Sequence, residues 1–145
     1  MLFRSVSYIL RPTDCPASQA NVWAVYGAMT VLNTLRALGL EHLTVKYPND
    51  ILCRGKKICG ILAEPLLGGD RVEFVILGIG LTLLPTPSDF PPDIRPHATS
   101  CLIEGHPASF TAMLDLLSRS LRDARATPYP QLREAWLQAG ARPPA

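Results

Sequence analysis

Between residues 43 and 77 the chain turns three times in close succession, at Pro48-Asn49-Asp50, Arg54-Gly55-Lys56 and Leu67-Gly68-Gly69-Asp70, with short apolar runs between the turns. Strands joined by connections this short have no room for a crossover and must pair antiparallel. The spacing predicts strands at 43–47, 51–53, 57–66 and 72–77, the last one ended by Gly78-Ile79-Gly80. Residues 2–10 alternate loosely, are rich in β-formers, and read as a further strand.

Helical periodicity appears on both sides of this block. Val22, Val25, Met29, Leu32 and Leu35 recur at threes and fours over 19–38, with Ser18 as N-cap and Gly39 closing the helix. Trp23, Tyr26 and Val31 widen the apolar arc, so this helix is expected to be covered on more than one side. A second amphipathic helix is predicted over 109–125, capped by Ser109, with Phe110, Met113, Leu114, Leu117 and Leu121 on one face. A third covers 129–138. Residues 85–98 are proline-rich and read as an irregular loop. The fold class is α+β: a mainly antiparallel sheet with helices packed on it, in one domain over 1–138 followed by a stub at 139–145.

Composition narrows the function classes. Of 145 residues, 48% are hydrophobic and 18% charged, which suits a folded globular chain, and the net charge of +2 comes without any basic stripe for nucleic acid. The N-terminus lacks the long apolar run of a signal peptide or membrane span. Cys15, Cys53, Cys59 and Cys101 form no C-x-x-C pair and read as buried reduced thiols. His42, His97 and His106 have no ligand-like spacing, so no metal site is expected. A cytoplasmic protein is the expectation, with no DNA and no membrane partner.

One stretch carries chemistry. Lys57 opens an apolar strand, Gly60 follows three residues on, and Gly78 and Gly80 thin the next strand. Strict alternation would put Lys57, Cys59, Ile61 and Ala63 on one face, with Ile58, Gly60, Leu62 and Glu64 on the other. Two thinned neighbouring strands make a narrow slot with a cation at its rim, suited to a ligand apolar at one end and anionic at the other. A solvated strand-end lysine beside bulge-marking glycines is the competing reading of the same residues.

The run VKYPNDILCRGKKICGILAE followed by VILGIGLTL resembles the core of the biotin protein ligase catalytic domain, in the biotin/lipoate ligase superfamily. That family reads K-W-P-N-D, a short hairpin, R/K-K-φ-x-G-I-L-φ-E, then φ-G-I-G-φ-N, φ being apolar. LFRSVSYILRP and RPHATSCLIEG resemble its flanking segments, so the likeness runs from Leu2 to about Gln138. The resemblance implies ATP-dependent formation of biotinyl-5′-AMP, then transfer of biotin to a lysine of biotin carboxyl carrier protein.

Carried over, Lys57 is the catalytic lysine. Gly60, Ile61, Leu62, Gly78 and Ile79 line the biotin slot, and Asn49, Asp50 and Thr82 lie on the nucleotide side. Biotin and ATP are substrates, Mg²⁺ accompanies them, and no cofactor is tightly bound. Three positions depart from the pattern. Thr82 replaces an asparagine able to face adenine, Tyr47 replaces a tryptophan, and Pro65 interrupts the ladder donors of its strand. The family's glycine- and arginine-rich loop, G-R-G-R-x-G-R-x-W, does not occur within residues 1–145, so the expectation is the C-terminal part of a catalytic domain. Two functions remain open. One is a ligase whose chemistry needs that loop, supplied by a second chain or otherwise; the other is a non-catalytic ligase-like binding or dimerisation module. The partners to expect, besides the carrier protein, are a second copy as a homodimer or a second chain supplying the loop.

Overall fold

The computed structural model describes residues 4–145, so Leu2 and Phe3 of the first expected strand lie outside the described residues. Among the described residues, five strands form one antiparallel sheet in the order β1-β5-β4-β3-β2. They are β1 (Arg4–Leu10), β2 (Leu43–Lys46), β3 (Asp50–Cys53), β4 (Lys56–Gly68) and β5 (Arg71–Leu81). The helices are α1 (Val22–Ala37), α2 (Phe110–Ala126) and α3 (Tyr129–Gln138). Helix α1 lies between one face of the sheet and the α2–α3 pair. The α+β expectation holds.

Burial on all sides explains why α1 is apolar beyond a single stripe. Its buried side chains include Trp23, Val25, Met29, Val31, Leu32 and Leu35. The two threonines in this set, Thr30 and Thr34, are satisfied by donating to the carbonyls of Tyr26 and Thr30 at 2.7 and 2.8 Å. At the end of the helix the N–H of Gly39 reaches Arg36 O and that of Leu40 reaches Leu35 O. This is the double bond of a glycine C-cap, and Gly39 takes the left-handed φ of 94° that the cap needs. The start differs from expectation: a 3-10 turn at Ala17–Gln19 intervenes, and Asn21, not Ser18, occupies the cap position. Ser109 does cap α2, accepting from the N–H of Ala112 at 3.1 Å. Phe110, expected on the buried face, is instead partly exposed at the first turn.

Two strand boundaries also move. β5 does not stop at Gly78 but continues through Gly80 to Leu81, because β1 and β4 both pair with it there. β4 runs through Pro65 to Gly68, with Pro65 opposite Val75. The N–H of Ile61 points to the β3 side, donating to Asn49 O at 2.8 Å. By alternation the nitrogen of Pro65 points to that same side, beyond the end of β3, where no ladder donor is lost. At the far edge, Val45 N–H donates to Ala139 O, and Ala141 is fully buried.

All four cysteines are free and buried. Burial pushes the Cys53 thiol up to about 11 and the Cys101 thiol up to about 12, and raises that of Cys59 strongly. Unfolded thiols titrate near ~8.5. Keeping them neutral therefore favours the fold fully below that pH, and the contribution is lost as pH rises from there through the folded values. We expect the melting temperature to be level from pH 6 to 8 and to fall steadily between pH 8.5 and 10.5. A level profile across that second interval would refute the assignment.

Candidate functional site

The sheet face turned away from α1 carries an unusually bare row. Cross-strand partners share a face, and the register aligns Ser5, Gly80, Gly60, Asp50 and Lys46 across all five strands. The next row is Ser7, Gly78 and Leu62. Four of these eight positions are glycine or serine in the two strands β5 and β1, and Gly60 adds a fifth on β4. The result is a floor of main chain bordered by taller side chains.

A bulge decides where Lys57 stands on this floor. Ile51 faces Cys59 but Leu52 faces Lys57, so Ile58 is an extra residue on β4. Strict alternation would have set Lys57 beside Ile61. The added residue turns it to the opposite face, beside Gly60, while Ile58, Cys59 and Ile61 all enter the core. A Cβ built on Gly60 would lie 3.5 Å from Lys57 Nζ. The ammonium meets Asp50 Oδ1 at 2.9 Å, with the lysine side chain 52% exposed and the aspartate 20%. A half-exposed pair of this kind contributes little to stability, so an incoming anion can compete for the ammonium.

Two hollows meet at this pair. The smaller, of about 330 Å³, is lined by Ser5, Ser7, Asn49, Leu62 and Gly78, among others. The larger, of about 580 Å³, is lined by Lys46, Thr82, Phe90, Asp93, Ile94 and His97, among others. Lys57, Asp50, Gly60 and Gly80 border both. The larger one is roofed by the proline-rich loop, which forms two 3-10 turns at Pro87–Asp89 and Arg95–His97.

The expected residues thus fall as follows. Lys57, Gly60, Leu62 and Gly78 come together on the groove, and Leu62, 55% exposed, stands up from the floor. Ile61 and Ile79 are 4% and 1% exposed in the core, so only their main chain borders the smaller hollow. Asp50 sits at the junction, whereas Asn49 and Thr82 separate: Asn49 lines the smaller hollow and Thr82 the larger. Tyr47 packs edge-on against Trp136, with ring centroids 6.2 Å apart.

Sequence reasoning overlooked Ser5 and Ser7, whose signal was two small hydroxyl residues two apart on a strand. It also overlooked Phe90, Ile94 and His97, which no local pattern marks. Among the described residues no group of three or more His, Cys, Asp or Glu is placed to hold a metal. Among the same residues, no helix is long and apolar enough to cross a membrane.

An antiparallel sheet with its helices on one face is the fold of the biotin protein ligases on which this chain superposes. The chain is biotin protein ligase-like and contains a region like the catalytic domain of the biotin/lipoate ligase superfamily. It is 39% identical over 95 residues to the bifunctional ligase/repressor BirA of Bacillus subtilis, covering 66% of this chain and 29% of that protein. It is 33% identical over 117 residues to the biotin–[acetyl-CoA-carboxylase] ligase of Paracoccus denitrificans, covering 73% and 49% of the two. The chain thus spans less than half the length of these curated relatives.

Among solved structures, the apo biotin protein ligase of Aquifex aeolicus superposes with a TM-score of 0.73 at 20% identity, covering 91% of this chain and 58% of that one. A biotin protein ligase-like protein of unknown function from Silicibacter sp. TM1040 gives 0.76 at 14% identity, covering 93% and 61%. No family model matches the chain.

Proposed function

We propose that the groove binds biotin in the smaller hollow and the adenylate in the larger one, and that it serves ATP-dependent biotinylation of a carrier protein. The observation that carries this reading is the position of Lys57, whose ammonium stands at the junction of the two hollows. In the first step a biotin carboxylate oxygen bonds to the α-phosphorus of ATP, and the bond from that phosphorus to pyrophosphate breaks. In the second a lysine amine of biotin carboxyl carrier protein attacks the acyl carbon, AMP leaves with the bonding pair, and the amine gives up a proton. Both steps gather negative charge beside Lys57, which is fixed in place beforehand.

Asp50 would release the ammonium as the anion arrives. Lys46, across from Asp50 on β2, adds a second cation to the larger hollow. The scattered carboxylates Asp50 and Asp93 suit a Mg²⁺ that arrives on the nucleotide phosphates and keeps most of its waters. Residues 1–138 are read as the catalytic-domain part and 139–145 as a stub. The glycine-arginine loop motif is not among residues 1–145, so the chemistry would need that loop from elsewhere.

The second reading, a non-catalytic ligase-like binding or dimerisation module, is favoured by the outer edge of β1. That edge has no strand partner among the described residues, and Ile9 beside it is 65% exposed.

Titration calorimetry with biotin and with biotinyl-5′-AMP tests the shared claim of a ligand site. Labelling of a carrier protein, with and without a polypeptide bearing the glycine-arginine loop, separates the two readings. Heat with neither ligand would remove both forms of the binding proposal.

Gly60 gives a sharper version of the test. Gly60→Ala places its Cβ at ordinary contact distance from Lys57 and should fold and bind nearly as before. Gly60→Leu fills the floor and should weaken biotinyl-5′-AMP binding by about tenfold or more, the scale of forcing a bulky side chain into a packed contact. Equal affinity for the two variants would show that the ligand lies elsewhere.

A further inference from the structure

We propose that Thr99 and Glu104 are positioning residues that hold Lys57 toward the groove; the inference rests on the ligand site proposed above. The segment 54–57 leads from the β3–β4 turn into the bulge, and it is gripped at both ends by one carboxylate. At the near end, Arg54 Nε lies 3.3 Å from Glu104 Oε2. At the far end, the hydroxyl of Thr99 donates to Glu104 Oε1 at 2.6 Å, and the Thr99 N–H donates to Lys57 O at 3.0 Å. Lys57 also forms a short parallel bridge with Ala98, a lining residue of the larger hollow.

The turn that supplies the carboxylate is itself fixed. Thr99 and Ser100 are fully buried, and the Ser100 hydroxyl donates to Pro85 O at 2.6 Å while accepting from Ile103 N–H at 3.1 Å. Glu104 N–H closes the turn on Ser100 O at 3.0 Å.

The clamp has a definite task because Lys57 sits next to a bulge. A bulge free to slip would release the Lys57 side chain from its pair with Asp50 and from its place beside Gly60. Holding the main chain of Lys57 from Thr99, and the turn three residues earlier from Arg54, keeps the extra residue in β4. Neither Thr99 nor Glu104 lines either hollow. They act on Lys57 through the backbone.

The test compares Thr99→Val, Thr99→Ser and Glu104→Gln in the full chain. Acylation by an amine-reactive ester, followed by peptide mass spectrometry, gives the labelling ratio of Lys57 to its exposed neighbour Lys56. In the wild type Lys57 is held on Asp50. T99V and E104Q should each raise the ratio by about threefold, the scale of losing one half-exposed ion pair, and T99S should restore it. Biotinyl-5′-AMP affinity should fall by about tenfold in T99V and E104Q and stay intact in T99S, the scale of losing one hydrogen bond to a charged group.

An unchanged labelling ratio in T99V and E104Q, with only a lower melting temperature, would overturn the proposal, and so would a T99S as disturbed as T99V. If T99V does not fold, E104Q decides, since Glu104 is at the rim of the turn. A wild type that binds no biotinyl-5′-AMP while the ratio still rises in T99V and returns in T99S would leave the clamp standing and remove the ligand reading.

Discussion

On the proposed function, replacing Lys57 by alanine should lower the rate of biotinyl-5′-AMP formation by about two to three orders of magnitude, the usual effect of removing one fixed charge-stabilising group. The measurement is pyrophosphate release with the glycine-arginine loop supplied, alongside calorimetry of biotinyl-5′-AMP on the chain alone. The fold should survive. The side chain is half-exposed and its pair with Asp50 is worth at most about 1 kcal/mol, so the melting temperature should move by no more than about 3 °C. Lys57→Arg restores the charge but not the compact ammonium, and a planar fork beside Gly60 should recover only part of the rate. Turnover undiminished in the alanine variant would take the centre of the groove away from Lys57.

The second large effect concerns the opposite face of the same strands. A Cβ on Gly27 would fall 2.7 Å from Leu77 Cδ1 and 2.8 Å from Ile61 Cγ2, both in the buried core. Two effects oppose each other at this position. Alanine is favoured over glycine in a helix by about 1 kcal/mol, while forcing extra atoms into a packed core costs about 1–3 kcal/mol. Gly27→Ala should therefore destabilise only slightly, because the helix gain offsets much of the overlap. Gly27→Val adds two more methyl groups and a β-branched helix residue, and should lose about 3 kcal/mol or more. Urea unfolding of the two variants measures the difference. A valine variant as stable as the wild type would mean that α1 does not rest on the sheet at Gly27. Ile61 also contributes main chain to the groove floor, so the valine variant should weaken ligand binding even where it remains folded.

The sheet was legible because its information is local. Three turns too short for a crossover leave only antiparallel pairing, and four of the five strands were located within a few residues. The exceptions have a common cause. Neither the extension of β5 through Gly78-Ile79-Gly80 nor the tolerance of Pro65 in β4 can be read from those residues, since each depends on the strand alongside. Gly80 is held between Ser5 and Gly60, and the nitrogen of Pro65 points past the end of β3. The cap of α1 was misplaced for a similar reason. Residues 11–21 are fastened to the β5 end by Ala17 N–H to Asp70 O and by Val72 N–H to Cys15 O, which delays the helix by three residues.

For the site, the residue types were visible and their grouping was not. Lys57 and the glycines stand out in the chain, and their spacing alone suggests a slot with a cation. Period-two counting placed Lys57 on the wrong face because one bulge residue, Ile58, is invisible to it. The roof of the larger hollow was missed because Phe90, Ile94 and His97 come from an irregular loop about thirty residues later.

Read by itself, the order of amino acids determined an antiparallel sheet, three helices, buried thiols and a short set of glycines beside a lysine, because turn chemistry and apolar periodicity act over a few bonds. The tertiary structure decided which face that lysine occupies, which carboxylate meets it and what closes the groove above it. Those outcomes depend on one register shift and on hydrogen bonds from a distant turn, and contacts between residues far apart along the chain leave no periodic trace in it.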